Sequence, residues 1–294
     1  MCKNKIGLLL SGLIVSLLFT CCAGGNSKLV ADADNYFYGT NVEMDKQKAA
    51  ELYQQAAEQG DRVAMVRLGN LYCLENNGVE LDYAKALEWF TKASDKGSAE
   101  AIERLSYLYY RGFGVEVDKD KAFELAKKSA DKGCAYGLFR VAMYYRDGVG
   151  TEADAEESQK WFAKAMPALM KISDEDMAQN MIGVSYGKGL GVEVDYDKSA
   201  EWLQKSADQG YAFGLYNLGN CYKFGEGVER NYEKAVELWQ MAANQGNSSA
   251  QYSLGLSYYY GNGVEKNQDM ALMWFNKALK NSKTAKDVEN KTEE

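Results

Sequence analysis

Apolar and small residues fall along this chain in two helical stripes that recur. Counting Gly214 as position zero of Gly214-Leu215-Tyr216-Asn217-Leu218-Gly219-Asn220-Cys221-Tyr222, positions zero, four and eight carry Gly, Leu and Tyr. At about 100° per residue those three positions lie on one face of a helix. A second stripe runs from Tyr232 to Asn244, with Ala235, Leu238, Trp239, Ala242 and Ala243 at helical spacing. Between the stripes stands Gly225-Glu226-Gly227-Val228, where glycine has the backbone freedom to end one helix and turn. Asp82, Asp118, Asp195 and Asn231 sit at or just before the start of a second stripe, the place of an N-cap.

The unit returns with a period of 36 residues, its turn being read again at Gly189-Leu190-Gly191-Val192 and Gly112-Phe113-Gly114-Val115. Six blocks follow from it: 61–97, 98–133, 134–174, 175–210, 211–246 and 247–282. Residues 21–60 hold a linker and a shortened capping unit that keeps Tyr36, Gly39, Val42 and Gly60. A fixed period of this size predicts stacked helix pairs, in which no unit can bury its faces alone. Small residues at positions zero and five let two helices approach closely. The predicted fold class is therefore an all-α solenoid.

The full pattern is Ala/Gly-x-x-x-Leu-Gly-x-x-Tyr-x-x-Gly-x-Gly-Val-x-x-Asp-Tyr-x-Lys-Ala-x-x-Trp-x-x-Lys-Ala, and it resembles the Sel1-like repeat, a relative of the tetratricopeptide repeat. Block 175–210 carries it in Gly189, Gly191, Val192, Asp195, Tyr196, Lys198, Trp202 and Lys205. Block 211–246 carries it in Gly225, Gly227, Val228, Tyr232, Lys234 and Ala235. The resemblance implies antiparallel helix pairs wound into a right-handed superhelix, acting as a protein-binding adaptor. Some secreted members of that family are cysteine-rich and linked to β-lactam hydrolysis; this chain lacks their paired cysteines.

Block 134–174 departs from the pattern. It has 41 residues, Thr151 replaces the Val of the turn, and Pro167 falls within the second stripe. Proline removes a helical hydrogen bond and bends or ends a helix. Two readings stand open, a bend dividing the array and a longer loop after a truncated helix.

The first residues do not fit the repeat. Lys3 and Lys5 precede an apolar run from Ile6 to Phe19, too short to span a membrane, as in a secretion signal. Residues 1–20 thus read as a lipoprotein signal peptide. Cys21, after Leu18-Phe19-Thr20, resembles the lipidated cysteine of a bacterial lipobox, with Cys22 as the competing position. The expected location is the bacterial cell envelope, lipid-anchored, and no Asp follows Cys21, which favours the outer membrane. Residues 283–294 form a polar tail whose one large apolar residue is Val288.

Of the 294 residues 46% are apolar and 26% charged, with 28 Gly and a single Pro, as in a folded chain whose turns are made by glycine. The formal charge of −8 becomes −10 once Lys3 and Lys5 are lost with the signal, which disfavours nucleic acid and anionic membrane surface. There is no histidine, so the commonest metal ligand and general base are missing. Cys73, Cys134 and Cys221 stand at different places in their repeats and read as small core residues. The recurring glycine turns follow helices and not strands, so they are architecture and not phosphate loops. The carboxylate runs Glu156-Glu157 and Asp174-Glu175-Asp176 read as solvated charge in loops or exposed turns, and no enzyme activity, cofactor or metal is expected.

The candidate partner surface is the second face of the first helices. Positions two, six and nine supply Phe139, Tyr216 and Tyr252; Tyr107, Met143, Asn220 and Leu256; and Tyr110, Arg146, Lys223 and Tyr259. Rigid rings mixed with polar groups favour binding a protein or peptide segment. Packing between repeats is the alternative. Position three adds an arginine ladder, Arg67, Arg104 and Arg140, which either grips a carboxylate-rich or phosphorylated segment or pairs with the protein's own acids such as Glu103. The expected role is a non-catalytic scaffold; an accessory to an envelope enzyme, or a glycan-binding protein, is the rival.

Overall fold

The computed structural model describes residues 27–73 and 79–290, with side chains as far as Lys280. The predicted signal peptide, Cys21 and all of the polar tail's side chains lie outside that span. Among the described residues there are fourteen helices and no strand. In chain order they are α1 (Lys28–Tyr38), α2 (Lys46–Glu58), α3 (Arg62–Tyr72), α4 (Tyr83–Asp95), α5 (Ala99–Arg111), α6 (Lys119–Asp131) and α7 (Ala135–Asp147). Then follow α8 (Ala155–Met170), α9 (Asp176–Lys188), α10 (Tyr196–Asp208), α11 (Ala212–Phe224), α12 (Tyr232–Asn244), α13 (Ser248–Tyr260) and α14 (Gln268–Asn290).

Local chemistry sets these boundaries. Asp118 accepts from the backbone N–H of Lys121 at 2.9 Å and Asn231 from that of Lys234 at 2.8 Å. Asp82 and Asp195 cap α4 and α10 in the same way, as the sequence pattern predicts. First helices other than α3 end on a left-handed glycine, such as Gly225 for α11 and Gly189 for α9, whose N–H returns to the carbonyl four residues back. The second glycine of each turn has another cause. A Cβ on Gly227 would fall on the Tyr196 carbonyl, so the turn lies directly against the start of the preceding repeat's second helix.

Within a repeat the helices are antiparallel. Ser129 near the end of α6 donates to the carbonyl of Ala99 at the start of α5, and Ser106 further along α5 donates to Ala122, both at 2.7 Å. Close approach depends on the small position five. Gly69 faces the ring of Phe90, and Gly219 faces the indole of Trp239, whose Nε1 donates to the Tyr216 carbonyl at 3.2 Å. The Trp-x-x-Lys of the repeat is a cation–π pair, with Lys92 4.3 Å above Trp89 and Lys205 4.1 Å above Trp202. The core runs the length of the stack, from Tyr53 and Phe90 through Phe162 and Ile182 to Leu218 and Leu254.

Pro167 does not end its helix. α8 has 16 residues where its counterparts α6 and α10 have 13, and it continues past Pro167 to Met170 before turning into α9. The helix is extended, not truncated. Of the seams between consecutive repeats, the one joining α8 to α9 is the sparsest.

Candidate partner cavity

The first helices turn one side inward, and a cavity of about 680 Å³ opens there. Its wall draws on six consecutive helix pairs: Tyr38 of α1, Tyr53 of α2, Arg67 and Asn70 of α3, Tyr83 of α4, Arg104 and Tyr107 of α5, Tyr136 and Arg140 of α7, Asp176 and Met181 of α9, and Tyr211 and Phe213 at the start of α11. Tyr38 and Phe213 are among the exposed large hydrophobic side chains.

The arginine ladder lies in this wall and is engaged by the protein's own carboxylates. Arg140 binds Glu103 through both Nε, at 2.6 Å, and a terminal nitrogen. Arg104 lies 3.8 Å from both Glu100 and Glu103. Arg67 lies 3.8 Å from Asp34, which also accepts from the Tyr53 hydroxyl at 2.5 Å. Glu103 is 1% exposed; burial pushes its carboxyl up, and Arg140 with Arg104 outweighs that and holds it below the usual range. Asp34 and Asp176 are raised, in each case chiefly by burial. Although Tyr38 is 43% exposed overall, desolvation in the cavity wall lifts its phenol to about 12, and burial raises those of Tyr53, Tyr136 and Tyr211. Tyr136 donates its hydroxyl to Glu175, which is itself buried.

The other sequence candidates are dispersed. Tyr107 joins the cavity, with Arg140 4.9 Å from its ring centre. Phe139 is buried against Phe162, Tyr110 packs on Tyr144, and Met143 packs on the core. Arg146 is exposed and pairs with Asp147 at 2.7 Å. Tyr216 and Tyr252 share a second, more open depression with Phe275. Lys223 lies 4.7 Å from the Phe224 ring centre, and Asn220 and Leu256 are half-buried. Tyr259 is exposed and meets Tyr260 edge-on.

Sequence reasoning passed over Tyr38, Tyr136, Tyr211 and Phe213, and it read Glu175 and Asp176 as solvated charge, whereas Glu175 is buried and both line the cavity because α9 starts there. Apart from Tyr38, these stand one to three residues before position zero, where the repeat needs only a helix start. Aromatics at that junction were the available signal.

The Sel1 repeat matches residues 30–61, 62–98, 99–134, 135–165, 176–211, 212–247 and 248–282, leaving out the segment around Pro167. The chain belongs to the Sel1 repeat family. Seven copies are matched, the first of them, 30–61, overlying the shortened unit expected in residues 21–60. A Sel1 repeat protein from Oxalobacter formigenes shares the fold at 23% identity and a TM-score of 0.52, over 86% of this chain and 97% of that one. A protective antigen of uropathogenic Escherichia coli displaying an SLR fold is 33% identical at a TM-score of 0.44. That match takes in 86% of this chain and 53% of the antigen, so the chain spans about half the antigen's length. An immunity protein from Pseudomonas aeruginosa is 22% identical at a TM-score of 0.47, over 75% of this chain and 81% of the other. No curated protein matches the chain. Sel1 repeat proteins generally mediate interactions between proteins.

Proposed function

We propose that this chain is a non-catalytic adaptor of the bacterial cell envelope that holds a segment of another protein in its inner cavity. The observation that carries the reading is the cavity itself, assembled from six repeats and walled by rigid rings that give contact area at low entropic cost. Its ionisable groups support binding over chemistry. The arginines are in ion pairs and the phenols are lifted away from neutral pH, so none of these groups is poised as an acid or base near pH 7.

Anchoring would come from Cys21 as the lipidated residue, in the outer membrane. Its support is the apolar run from Ile6 to Phe19 and the lack of an Asp after the cysteine. Cys21→Ser should leave an unprocessed, unlipidated chain when labelled palmitate is fed to the producing cell. Labelling that persists in Cys21→Ser and vanishes in Cys22→Ser would move the anchor by one residue.

Pull-down with the chain from envelope protein and from cell-wall glycan tests the adaptor reading. Tyr107→Ala with Tyr211→Ala should abolish capture of a protein that the wild type retains. Capture of glycan and no protein, lost in Tyr216→Ala with Tyr252→Ala, would replace it with a glycan-binding role for the second depression.

A further inference from the structure

We propose that the segment held in this cavity is cationic, a lysine or arginine side chain seating beside Asp176 and Glu100 among the rings of Tyr38, Tyr107, Tyr136 and Tyr211. The inference rests on the reading of the cavity as the partner site. Charge decides it. Five carboxylates, Asp34, Glu100, Glu103, Glu175 and Asp176, stand in or directly behind the wall against three arginines, Arg67, Arg104 and Arg140.

Those arginines face the protein's own acids, although Nε of Arg104 is buried without a hydrogen bond. Arg140 is held by Glu103, Arg67 by Asp34, and Arg104 divides its charge between Glu100 and Glu103. Oε2 of Glu103 makes no hydrogen bond although it is buried. The Asp176 carboxylate makes no ion pair with any described residue, Arg104 acting on it only at a distance; its one hydrogen bond comes from the Met177 backbone N–H at 2.5 Å, while its backbone carbonyl accepts from Ser206. Two further cations, Lys46 and Arg111, lie over the rings of Phe37 and Phe113 and make no ion pair with Asp176.

An incoming carboxylate would enter a region already in surplus of negative charge, where each arginine already faces one of the protein's own acids. An incoming ammonium or guanidinium removes the surplus and gains the faces of the tyrosine rings, a combination of carboxylate and aromatic that suits a desolvated cation. The arginine ladder then serves to hold the acids in place.

Fluorescence anisotropy on the full chain tests this with three labelled peptides of one alanine–leucine background, carrying two lysines, two glutamines or two glutamates. The lysine peptide should bind about tenfold more tightly than the glutamine peptide, and the difference should shrink as salt is raised. Asp176→Asn and Glu100→Gln should each cut the preference for the lysine over the glutamine peptide severalfold, with circular dichroism confirming that both variants fold. Equal binding of lysine and glutamine peptides, still lost in Tyr107→Ala with Tyr211→Ala, overturns the cationic inference and keeps the cavity as the site. Preference for the glutamate peptide reverses it. Binding of no peptide, or binding indifferent to the tyrosine pair, overturns both.

Discussion

Arg140 on α7 donates from Nε to the Oε1 atom of Glu103 on α5, so one repeat is fastened to the next by a carboxylate that is 1% exposed. The bond spans 37 residues of sequence. Removing the arginine alone would leave a buried charge with only Arg104, 3.8 Å away, to compensate it. Arg140→Ala should therefore cost about 3–5 kcal/mol by chemical denaturation. Glu103→Met combined with Arg140→Leu should recover most of that loss, because burying neither charge avoids the desolvation that the pair must offset. A double variant as weak as Arg140→Ala would show that the pair acts through packing.

The same carboxylate gives stability a pH dependence. Its folded-state pKa lies below the unfolded value, so its contribution is fully present above the ordinary glutamate range and is lost as pH falls through the folded pKa. Asp34 and Asp176 run the other way, since their raised pKa values make acidification relieve a cost. The stability difference between wild type and Glu103→Gln should be constant above about pH 5 and shrink below about pH 4.5. Urea midpoints at stepped pH read it. A difference that grows on acidification would contradict the assignment.

Two glycines in neighbouring turns separate conformational strain from collision. Gly210 has φ +80° and open space where a Cβ would go, so Gly210→Ala should cost about 1–2 kcal/mol, from the left-handed backbone alone. Gly227 has φ +69° and the Tyr196 carbonyl where its Cβ would lie. Gly227→Ala should add a further ~1–3 kcal/mol for the forced shift of one repeat against the next. Equal melting temperatures for the two variants would mean that the turn does not bear on the seam.

Burial lifts the Cys73 thiol to about 12 and the Cys221 thiol to about 11. The thiolate is the reactive form and is scarce at neutral pH in both. Iodoacetamide at pH 7.5 should label neither in the folded chain and both in denaturant, as read by peptide mapping. Rapid labelling of Cys221 in the native state would place it on an exposed surface.

The fold was legible because its determinants are local. Asp118 caps α6 three residues from the N–H it accepts, and Gly225 ends α11 by its own backbone, so neighbours in sequence suffice to read them. The cavity was legible in part. Arg67, Arg104 and Arg140 stand out because they share a register position, and Tyr107 falls on the predicted inner face. Phe139 shares that predicted face and is buried in packing instead, since its fate depends on Phe162, a neighbour in the same repeat's second helix. Asp176 and Tyr211 were hidden for a different reason. They sit on helix starts, and what brings them to the wall beside Tyr38 is the accumulated rotation of the stack, to which each repeat adds a small step that no single repeat encodes.

The sparse seam between α8 and α9 has a mechanical consequence. In a nearest-neighbour array an interface of few contacts is the expected place to yield under tension, so a pull on the two ends should part the chain there, against the Tyr136–Glu175 hydrogen bond, into a block of α1–α8 and a block of α9–α14. The cavity wall takes Tyr107 and Arg140 from one block and Asp176 and Tyr211 from the other. Whatever fills it spans the break, and the force needed to rupture the array becomes a gauge of its occupancy.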